Sequence, residues 1–336
     1  MLSVVIPIYN EVENIPLLHQ ELSGVLRTLD QPYEVVYVDD GSRDGSFEAL
    51  RRIAEADPNV LVIQFRRNFG QTAALAAGMR AAQGDILVFM DGDLQNDPAD
   101  IPRLLAMLEE GPYDVVSGWR FDRKDHAIRR KLPSRIANWL IGKVSGVRLH
   151  DYGCTLKAYR REVLETVRLY GEMHRFIPAY AAWSGATIGE LKVNHRARKF
   201  GKSKYGIGRT IKVVLDLLTL KFLSDYGTKP AYLFGGLGFA CWGLAFLAFL
   251  FSVAQRFIDA TRVHSNPVFT IGLILAVMGL QFILMGLLAE LMVRIYHESQ
   301  DKSTYVVRRT VGKRSPGFEP RRPLALAGTG RPDDLG

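Results

Sequence analysis

The stretch FMDGDLQNDP, residues 89–98, places Asp91, Asp93 and Gln95 directly behind an apolar run. Two carboxylates one residue apart, with an amide oxygen beside them, form a set of hard oxygen ligands that suits Mg²⁺ or Mn²⁺. Such ions bind one or two carboxylates and complete their shell with phosphates and water. The Asp-x-Asp pattern is weak on its own, because a simple turn also explains it. We assign only that simpler role to Asp97, as the cap of a helix that begins at Pro98.

Polar residues also end two other apolar runs. Asn10 and Glu11 follow LSVVIPIY, and Asp39 and Asp40 end YEVVYVDD. These runs are continuous rather than alternating, which indicates a mostly parallel sheet that is covered on both faces. The carboxyl ends of parallel strands meet at one edge of a sheet, where ligands bind. We therefore expect the three polar groups to converge.

The elements that must position these residues alternate along the first half of the chain. Strands are predicted at LSVVIPIY, YEVVYVDD, VLVIQF, DILVFMDGD and YDVVSGW, and helices at about 12–30, 44–56, 71–83 and 98–110. This order predicts an α/β fold. Gly92, between the two aspartates, is expected to allow a sharp turn and the close approach of a ligand.

The segments VVIPIYNE and VYVDDGSRDGS supply candidates for the rest of a nucleotide pocket. The carboxylate of Asp39 could accept hydrogen bonds from a base or a ribose. Asp40 could either contact the nucleotide or shape the turn, and both roles are open. Asp44 is predicted to cap the next helix.

Composition bounds the class of protein. The 336 residues carry a formal charge of +8, which would suit nucleic acid, anionic lipid or a phosphorylated substrate. Cys154 and Cys241 offer neither a disulfide framework nor a zinc spacing, which is typical of a reducing compartment. The N-terminal sequence does not have the pattern of a signal peptide. The chain also shows no P-loop, no GxGxxG motif and no nucleic-acid-binding module, so nucleic acid is not an expected partner.

The apolar residues are concentrated near the C-terminus. Residues 231–255 carry no formal charge and 268–293 carry one only near their end, so each stretch is long enough to span a bilayer. The flanks 192–229 and 302–314 hold far more Lys and Arg than the connection between the stretches. The positive-inside rule therefore places both flanks in the cytoplasm.

Four parts follow from these patterns. We predict a catalytic domain over 1–205, an amphipathic helix at the membrane surface over 206–230, a two-helix transmembrane hairpin over 231–294, and a basic cytoplasmic tail over 295–336. The tail is expected to be disordered after about Val311 because it is rich in Pro, Gly and Arg.

The catalytic motifs resemble those of the inverting family 2 glycosyltransferases, which have a GT-A fold. The segments SGWR, RRKLPSRIAN, DYGCTLKAYRREVLE and HRFIPAYAAWSGATIGELKVNHRARKFGKSKYG, with two terminal spans, are similar to the polyprenyl-phosphate branch. That branch includes dolichyl-phosphate mannose synthases and bacterial enzymes that load glucose or modified arabinose onto undecaprenyl phosphate. The resemblance covers about residues 1–300. It implies transfer of a sugar from a nucleotide sugar, a UDP-sugar first of all, to a lipid phosphate at the bacterial inner membrane, and it implies a homo-oligomer.

The resemblance also assigns residues. It implies nucleotide contacts at Pro7, Tyr9, Glu11, Asp39, Asp91, Arg198 and Lys204. To these we add Asn10 and Asp40 from the turns described above. It implies metal ligands at Asp91, Asp93 and Gln95, and acceptor-phosphate contacts at Arg120, Arg130 and Ser134. Other bases, namely Arg123, Lys124, Lys199 and Lys202, are predicted to face anionic membrane lipid.

The expected mechanism follows from charge. A phosphate acceptor is already anionic near neutral pH, so it hardly needs a base, and a divalent ion with basic side chains would stabilise the departing diphosphate. The catalytic candidates are Asp93, Arg120 and Asp151; for Asp151 a base, an orienting residue and a plain loop aspartate remain open.

Two other functions are also open. A processive polysaccharide synthase would need more spans and a Gln-x-x-Arg-Trp motif, which is not found. A basic membrane scaffold would leave the polar strand ends without a role.

Overall fold

The structure, a computed structural model, describes residues 1–121, 142, 146–165, 167, 173–197, 230–259, 263–299 and 305–312. The chain divides into two compact units. One comprises Met1–Leu217 with Lys302–Gly336, and the other comprises Leu218–Asp301.

The first unit is built on a sheet of eight described strands. They are β1 (Leu2–Ile8), β2 (Tyr33–Asp39), β3 (Val60–Phe65), β4 (Ile86–Phe89), β5 (Val115–Arg120), β6 (Lys157–Arg160), β7 (Ile188–Val193) and β8 (Val307–Val311). Their order across the sheet is β7-β5-β6-β4-β1-β2-β3-β8. Strands β4, β1, β2 and β3 are parallel, as predicted, while β6 is antiparallel to both β4 and β5.

The described helices of this unit alternate with the strands. They are α1 (Ile15–Leu26), α2 (Ser46–Ala56), α3 (Gln71–Ala81), α4 (Ile101–Glu110), α5 (Arg161–Glu165) and α6 (Ile177–Trp183). A 3₁₀ turn, Pro98–Asp100, precedes α4, and its cap is Asp97, whose carboxylate accepts from the Ala99 N–H at 3.1 Å. The predicted cap is therefore confirmed.

The core explains the continuous apolar runs. Every residue of β3 and β4 is buried, as are most residues of β1 and β2, because helices cover both faces of the sheet. Leu18 and Leu22 of α1 are fully buried, and each contributes about 1.5–3 kcal/mol. Gly78 of α3 lies so close to β1 that a Cβ there would come within 2.2 Å of the Val5 side chain.

The edge strand β8 was not predicted. It follows the two long helices of the chain, yet it pairs antiparallel with β3, and Tyr305 stacks on Phe65 at 5.0 Å. Part of the segment assigned to a separate tail therefore belongs to the sheet. Residues before and after the two long helices thus belong to one sheet.

The second unit contains α7 (Pro230–Asp259) and α8 (Pro267–Ser299). By length and composition, Tyr232–Ile258 and Pro267–Ala289 are able to cross a membrane. The helices approach closely where Gly238 meets Gly279, and Trp242 Nε1 donates to the Ala276 carbonyl at 3.0 Å. Of the predicted amphipathic helix over 206–230, only Pro230 is described.

Candidate active site

The carboxyl ends of β1, β2 and β4 converge, as predicted. Ile8 pairs with Asp39 across the sheet, and the Asp40 N–H donates to the Ile8 carbonyl at 2.8 Å. On the other side of β1, Gly92 lies against Ile8, where a Cβ would come within 2.4 Å of the Ile8 Cδ1 atom and 3.3 Å of the Pro7 carbonyl oxygen. The structure adds a packing reason for the glycine, because a side chain there would displace the end of the Ile8 side chain, and the expected approach of a ligand stays a prediction.

Asp91 is bonded on both of its oxygens by side chains. Its Oδ1 accepts from Gln71 Nε2 and its Oδ2 accepts from Thr155 Oγ1, both at 2.8 Å. Burial, and then the charge of Asp93, raise the pKa of Asp91 to about 6. The site thus carries negative charge that its own residues only partly offset, and a cation would relieve it.

The loop after β4 is held in a strained form. Leu94 is buried with φ at 61°, a left-handed conformation that is uncommon for a residue with a side chain. The Gln95 N–H donates to Asp93 Oδ1 at 3.2 Å, and the Asp91 N–H donates to Asn96 Oδ1 at 3.3 Å. These bonds fix the spacing of the predicted metal ligands Asp91, Asp93 and Gln95.

Asp39 lies at the end of β2, fully buried. Its Oδ1 accepts from the Ser42 N–H at 3.1 Å, whereas its Oδ2 has no hydrogen-bond partner among the described residues. Burial raises the pKa of Asp39 above its ordinary value. A buried carboxylate oxygen without a partner is costly, so this atom is suited to accept from a ligand.

The other nucleotide candidates lie beside Asp39. Pro7 and Tyr9 are partly exposed at the end of β1. Asn10 has φ at 52°; its N–H donates to Ser42 Oγ and its Oδ1 accepts from the Arg43 N–H, both at 2.9 Å. Glu11 accepts from Asn14 Nδ2 at 2.5 Å. Asn10 therefore joins the loop after β1 to the loop after β2.

Asp40 has a clear structural task. Its two oxygens accept from the N–H groups of Phe69, at 2.6 Å, and Gly70, at 2.9 Å. Burial raises the pKa of Asp40 to about 6. Because both oxygens accept from the backbone that leads into α3, the geometry gives Asp40 the turn-shaping role, and the nucleotide contact stays a prediction.

Arg120, at the end of β5, forms a two-pronged ion pair with Asp151. Arg120 Nε donates to Asp151 Oδ2 at 2.6 Å, and Nη2 donates to Oδ1 at 2.9 Å. The Gly153 N–H also donates to Asp151, at 3.0 Å. Burial alone would lower the pKa of Arg120, but the bonds to Asp151 and its charge raise it above the ordinary value.

This pairing bears on the predicted roles. Asp151 is 3% exposed and its oxygens accept from Arg120 and Gly153, an arrangement that suits a positioning residue for Arg120. The third nitrogen of the Arg120 guanidinium, Nη1, makes no hydrogen bond to the described residues.

The family model described as "Glycosyl transferase family 2" matches residues 3–168. A dodecaprenyl-phosphate galacturonate synthase of Rhizobium johnstonii is 42% identical over 310 residues, which cover 91% of this chain and 92% of that protein. The chain belongs to glycosyltransferase family 2. An undecaprenyl-phosphate 4-deoxy-4-formamido-L-arabinose transferase of Yersinia pestis is 39% identical over 315 residues, covering 92% of this chain and 93% of that protein.

Solved structures give the same fold. Glucosyl-3-phosphoglycerate synthase of Mycobacterium tuberculosis, in complex with Mn²⁺, UDP and phosphoglyceric acid, matches with a TM-score of 0.53 at 21% identity, over 68% of this chain and 81% of that one. Its complex with Mn²⁺ and UDP-glucose matches with a TM-score of 0.51. The likeness confirms the GT-A fold of this family 2 member.

The donor set at the strand ends fits a divalent ion that is shared with a diphosphate. Among the described residues no group of three or more His, Cys, Asp or Glu is arranged to hold a metal. Asp91 and Asp93 are nevertheless hard oxygen donors, and burial together with their mutual repulsion favours a bound cation. Ions such as Mg²⁺ accept one or two carboxylates and take their other ligands from phosphate and water.

Several residues near this site were missed by sequence reasoning. Gln71 and Thr155 contact Asp91 from 20 and 64 residues away, and no local pattern marks either one. Lys157 is buried, its ammonium donates to the Tyr152 and Cys154 carbonyls, and burial lowers its pKa. His174 bonds to Thr72 Oγ1 at 2.8 Å; burial lowers its pKa to about 3, so it stays neutral.

Some predicted residues lie outside the described parts of the chain, namely Arg130, Ser134, Arg198, Lys204, Arg123, Lys124, Lys199 and Lys202. Arg196, two residues before Arg198, is described. Its N–H donates to the Gln95 carbonyl at 2.9 Å, and its guanidinium pairs with Asp97 at 2.7 Å and with Glu21. Asp97 therefore does more than cap a helix, since it ties the start of the basic segment to the loop after β4.

Proposed function

We propose that this protein transfers a monosaccharide from a nucleotide sugar, a UDP-sugar in the first instance, to a polyprenyl phosphate such as undecaprenyl phosphate. The product is a lipid-linked sugar for modification of the cell envelope. One observation carries the proposal: identity of about 40% extends over more than nine-tenths of both chains to relatives whose names specify polyprenyl phosphates. That span includes the two long apolar helices.

The nucleotide sugar is assigned to the edge formed by β1, β2 and β4. Asp39 Oδ2, which has no hydrogen-bond partner among the described residues, accepts a hydrogen bond from the base or ribose. Pro7, Tyr9 and Glu11 complete the nucleotide pocket. Asp91 and Asp93, with Gln95, hold Mg²⁺ or Mn²⁺. The bound ion supplies charge neutralisation for the diphosphate that leaves. Each Asp91 oxygen accepts one hydrogen bond and keeps a lone pair for the ion.

The acceptor phosphate is assigned to Arg120. Asp151 fixes two nitrogens of the Arg120 fork, which aims Nη1 at the incoming phosphate and limits the reorganisation needed on binding. Arg130 and Ser134 extend this site, and Arg198 and Lys204 reach the diphosphate from the segment anchored by Arg196. The phosphate oxygen attacks the anomeric carbon in line, the bond to the diphosphate breaks, and the configuration inverts.

The reaction is assigned to the cytoplasmic face of the inner membrane. The helices α7 and α8 span the bilayer, and the more basic flanks on both sides of the pair lie in the cytoplasm by the positive-inside rule. The basic side chains at 123–124 and 199–202 face anionic lipid. The proposed protein is a homo-oligomer.

The test is a panel of radiolabelled UDP-sugars incubated with the purified full-length protein, undecaprenyl phosphate and either Mg²⁺ or Mn²⁺. We expect label from one sugar to enter the organic phase as a lipid-linked monosaccharide. The absence of an organic-phase product with every sugar and both ions would overturn the proposal. A labelled water-soluble polymer would instead indicate a polysaccharide synthase.

A further inference from the structure

Asp91 is bonded by side chains that come from two separate parts of the fold. Gln71, the first residue of α3, donates from Nε2 to Oδ1, and Thr155, just before β6, donates from Oγ1 to Oδ2, both at 2.8 Å. The bonds approach the carboxylate from opposite ends of its O–C–O group. Rotation about its side-chain torsions would break at least one of them, so the two donors fix its orientation.

The donor on α3 is itself well supported. Gly70, the residue before Gln71, donates its N–H to the buried Asp40 at 2.9 Å. On the other side, Thr72 bonds to His174 at 2.8 Å. The first turn of α3 is thus held by a carboxylate on one side and an imidazole on the other, and Gln71 has little freedom to follow Asp91 if it moves.

The second donor is supported by the segment that joins Asp151 to β6. The carbonyl of Cys154, the residue before Thr155, accepts from the buried ammonium of Lys157. The carbonyl of Leu156, the residue after it, accepts from the Gly118 N–H of β5 at 2.9 Å. Thr155 therefore stands on backbone that is fixed on both sides.

The bonds to Asp91 reach beyond its own loop. Asp93 accepts from the N–H of Gln95, within its own loop, at 3.2 Å. Asp91 is oriented instead by α3 and by the segment before β6, which ties the loop after β4 to the rest of the sheet. Each Asp91 oxygen that accepts one hydrogen bond retains a lone pair for a cation.

We propose that Gln71 and Thr155 are positioning residues that hold Asp91 in the orientation required to bind the metal ion of the nucleotide sugar. The proposal rests on the proposed function above. Partners that orient a metal ligand without touching the metal typically change affinity or activity by about 10- to 100-fold when they are removed.

The test uses three single variants of the full-length protein. Thr155→Val keeps the shape and removes the hydroxyl, Thr155→Ser keeps the hydroxyl, and Gln71→Met keeps the length and removes the amide. Calorimetric titration measures Mn²⁺ binding in the presence of UDP, beside the melting temperature and the KM for undecaprenyl phosphate. Thr28→Val, at an exposed threonine that bonds only to the Val25 carbonyl, is the matched control.

We expect Thr155→Val and Gln71→Met to weaken Mn²⁺ binding about 10- to 100-fold, with the acceptor KM unchanged. Thr155→Ser and Thr28→Val should bind within about threefold of wild type. A merely structural role would lower the melting temperature and leave Mn²⁺ affinity unchanged, and that result overturns the proposal. So does a Thr155→Ser variant as weak as Thr155→Val. If Thr155→Val does not fold, Gln71→Met decides alone.

The two proposals fail in different ways. A wild-type protein that binds neither UDP nor Mn²⁺, and that yields no lipid-linked product, contradicts the proposed function. A wild-type protein that binds both, together with variants that bind equally well, contradicts only the roles of Gln71 and Thr155.

Discussion

Two groups of charged residues lie at the strand ends of this molecule, and they are built in opposite ways. Arg120 and Asp151 neutralise each other through two hydrogen bonds of 2.6 and 2.9 Å. Asp91 and Asp93 are two acids side by side, and burial with mutual repulsion raises the pKa of Asp91 to about 6. The ion pair carries its own counter-charge, which fixes its geometry, whereas the charge of the two acids is only partly offset and suits a bound cation.

The largest effect should come from the two acids. Asp93→Ala removes a carboxylate that, in our proposal, holds the diphosphate's metal ion, so turnover should fall by at least about 100- to 1000-fold. Transfer to the lipid phosphate measures this loss, and membrane insertion should be intact. Asp30→Ala, at an exposed aspartate, is the control. Near-normal turnover of Asp93→Ala would remove the metal assignment and erase the contrast between the two groups.

Breaking the ion pair between Arg120 and Asp151 should above all lower the free energy of unfolding. Arg120→Met leaves Asp151 buried without its partner, which should destabilise the fold by about 3–5 kcal/mol in chemical unfolding. The double variant Arg120→Met/Asp151→Leu removes both charges and should recover most of that stability while turnover stays low. If the double variant regains turnover as well, Arg120 does not bind the acceptor phosphate.

Packing beneath the acidic loop offers a finer test. Gly92→Ala forces a Cβ to within 2.4 Å of the Ile8 Cδ1 atom, and overpacking of this kind costs about 1–3 kcal/mol. Ile8→Val removes that atom. The double variant Gly92→Ala/Ile8→Val should therefore be more stable to unfolding than Gly92→Ala. Equal stability would mean that the contact with Ile8 is not the reason for glycine.

The smallest effect concerns pH. A raised pKa means that Asp91 takes up a proton as the pH falls through about 6, so Mn²⁺ affinity should fall about tenfold between pH 7 and pH 5. Stability should change in the opposite sense. Asp91 and Asp40 both have pKa values raised to about 6, so the folded state binds protons more readily than the unfolded state.

These two groups therefore add stability to the cation-free protein as the pH falls from 7 towards 4. Calorimetric titration of Mn²⁺ and chemical unfolding, each at several pH values, check the two trends. A Mn²⁺ affinity that is flat between pH 7 and pH 5 would contradict the pKa assigned to Asp91.

Much of the fold could be predicted from the sequence, for a physical reason. Buried parallel strands need continuous apolar runs, so LSVVIPIY and DILVFMDGD identified β1 and β4, and the polar residues that follow them marked the edge where the site lies. Asp97 was recognisable as a cap because the residues that make a cap are adjacent in sequence.

The rest could not be predicted because it depends on contacts between distant residues. The partners of Asp91 come from α3 and from the segment before β6, and the partner of Asp151 lies 31 residues away. Strand β8 pairs with β3 only because the chain returns to the sheet after two long helices. Its exposed, basic sequence resembles a tail, and the edge that it completes is not visible in the sequence.

The most direct test of the account is calorimetric titration of UDP into the purified full-length protein, in Mn²⁺ and in EDTA, for wild type and for Asp93→Ala. Wild type should bind UDP in Mn²⁺ and at least about tenfold more weakly in EDTA. Asp93→Ala should bind weakly in both solutions. Equal binding by wild type with and without Mn²⁺, or full Mn²⁺-dependent binding by Asp93→Ala, would contradict the assignment of the strand-end carboxylates to the donor's metal ion.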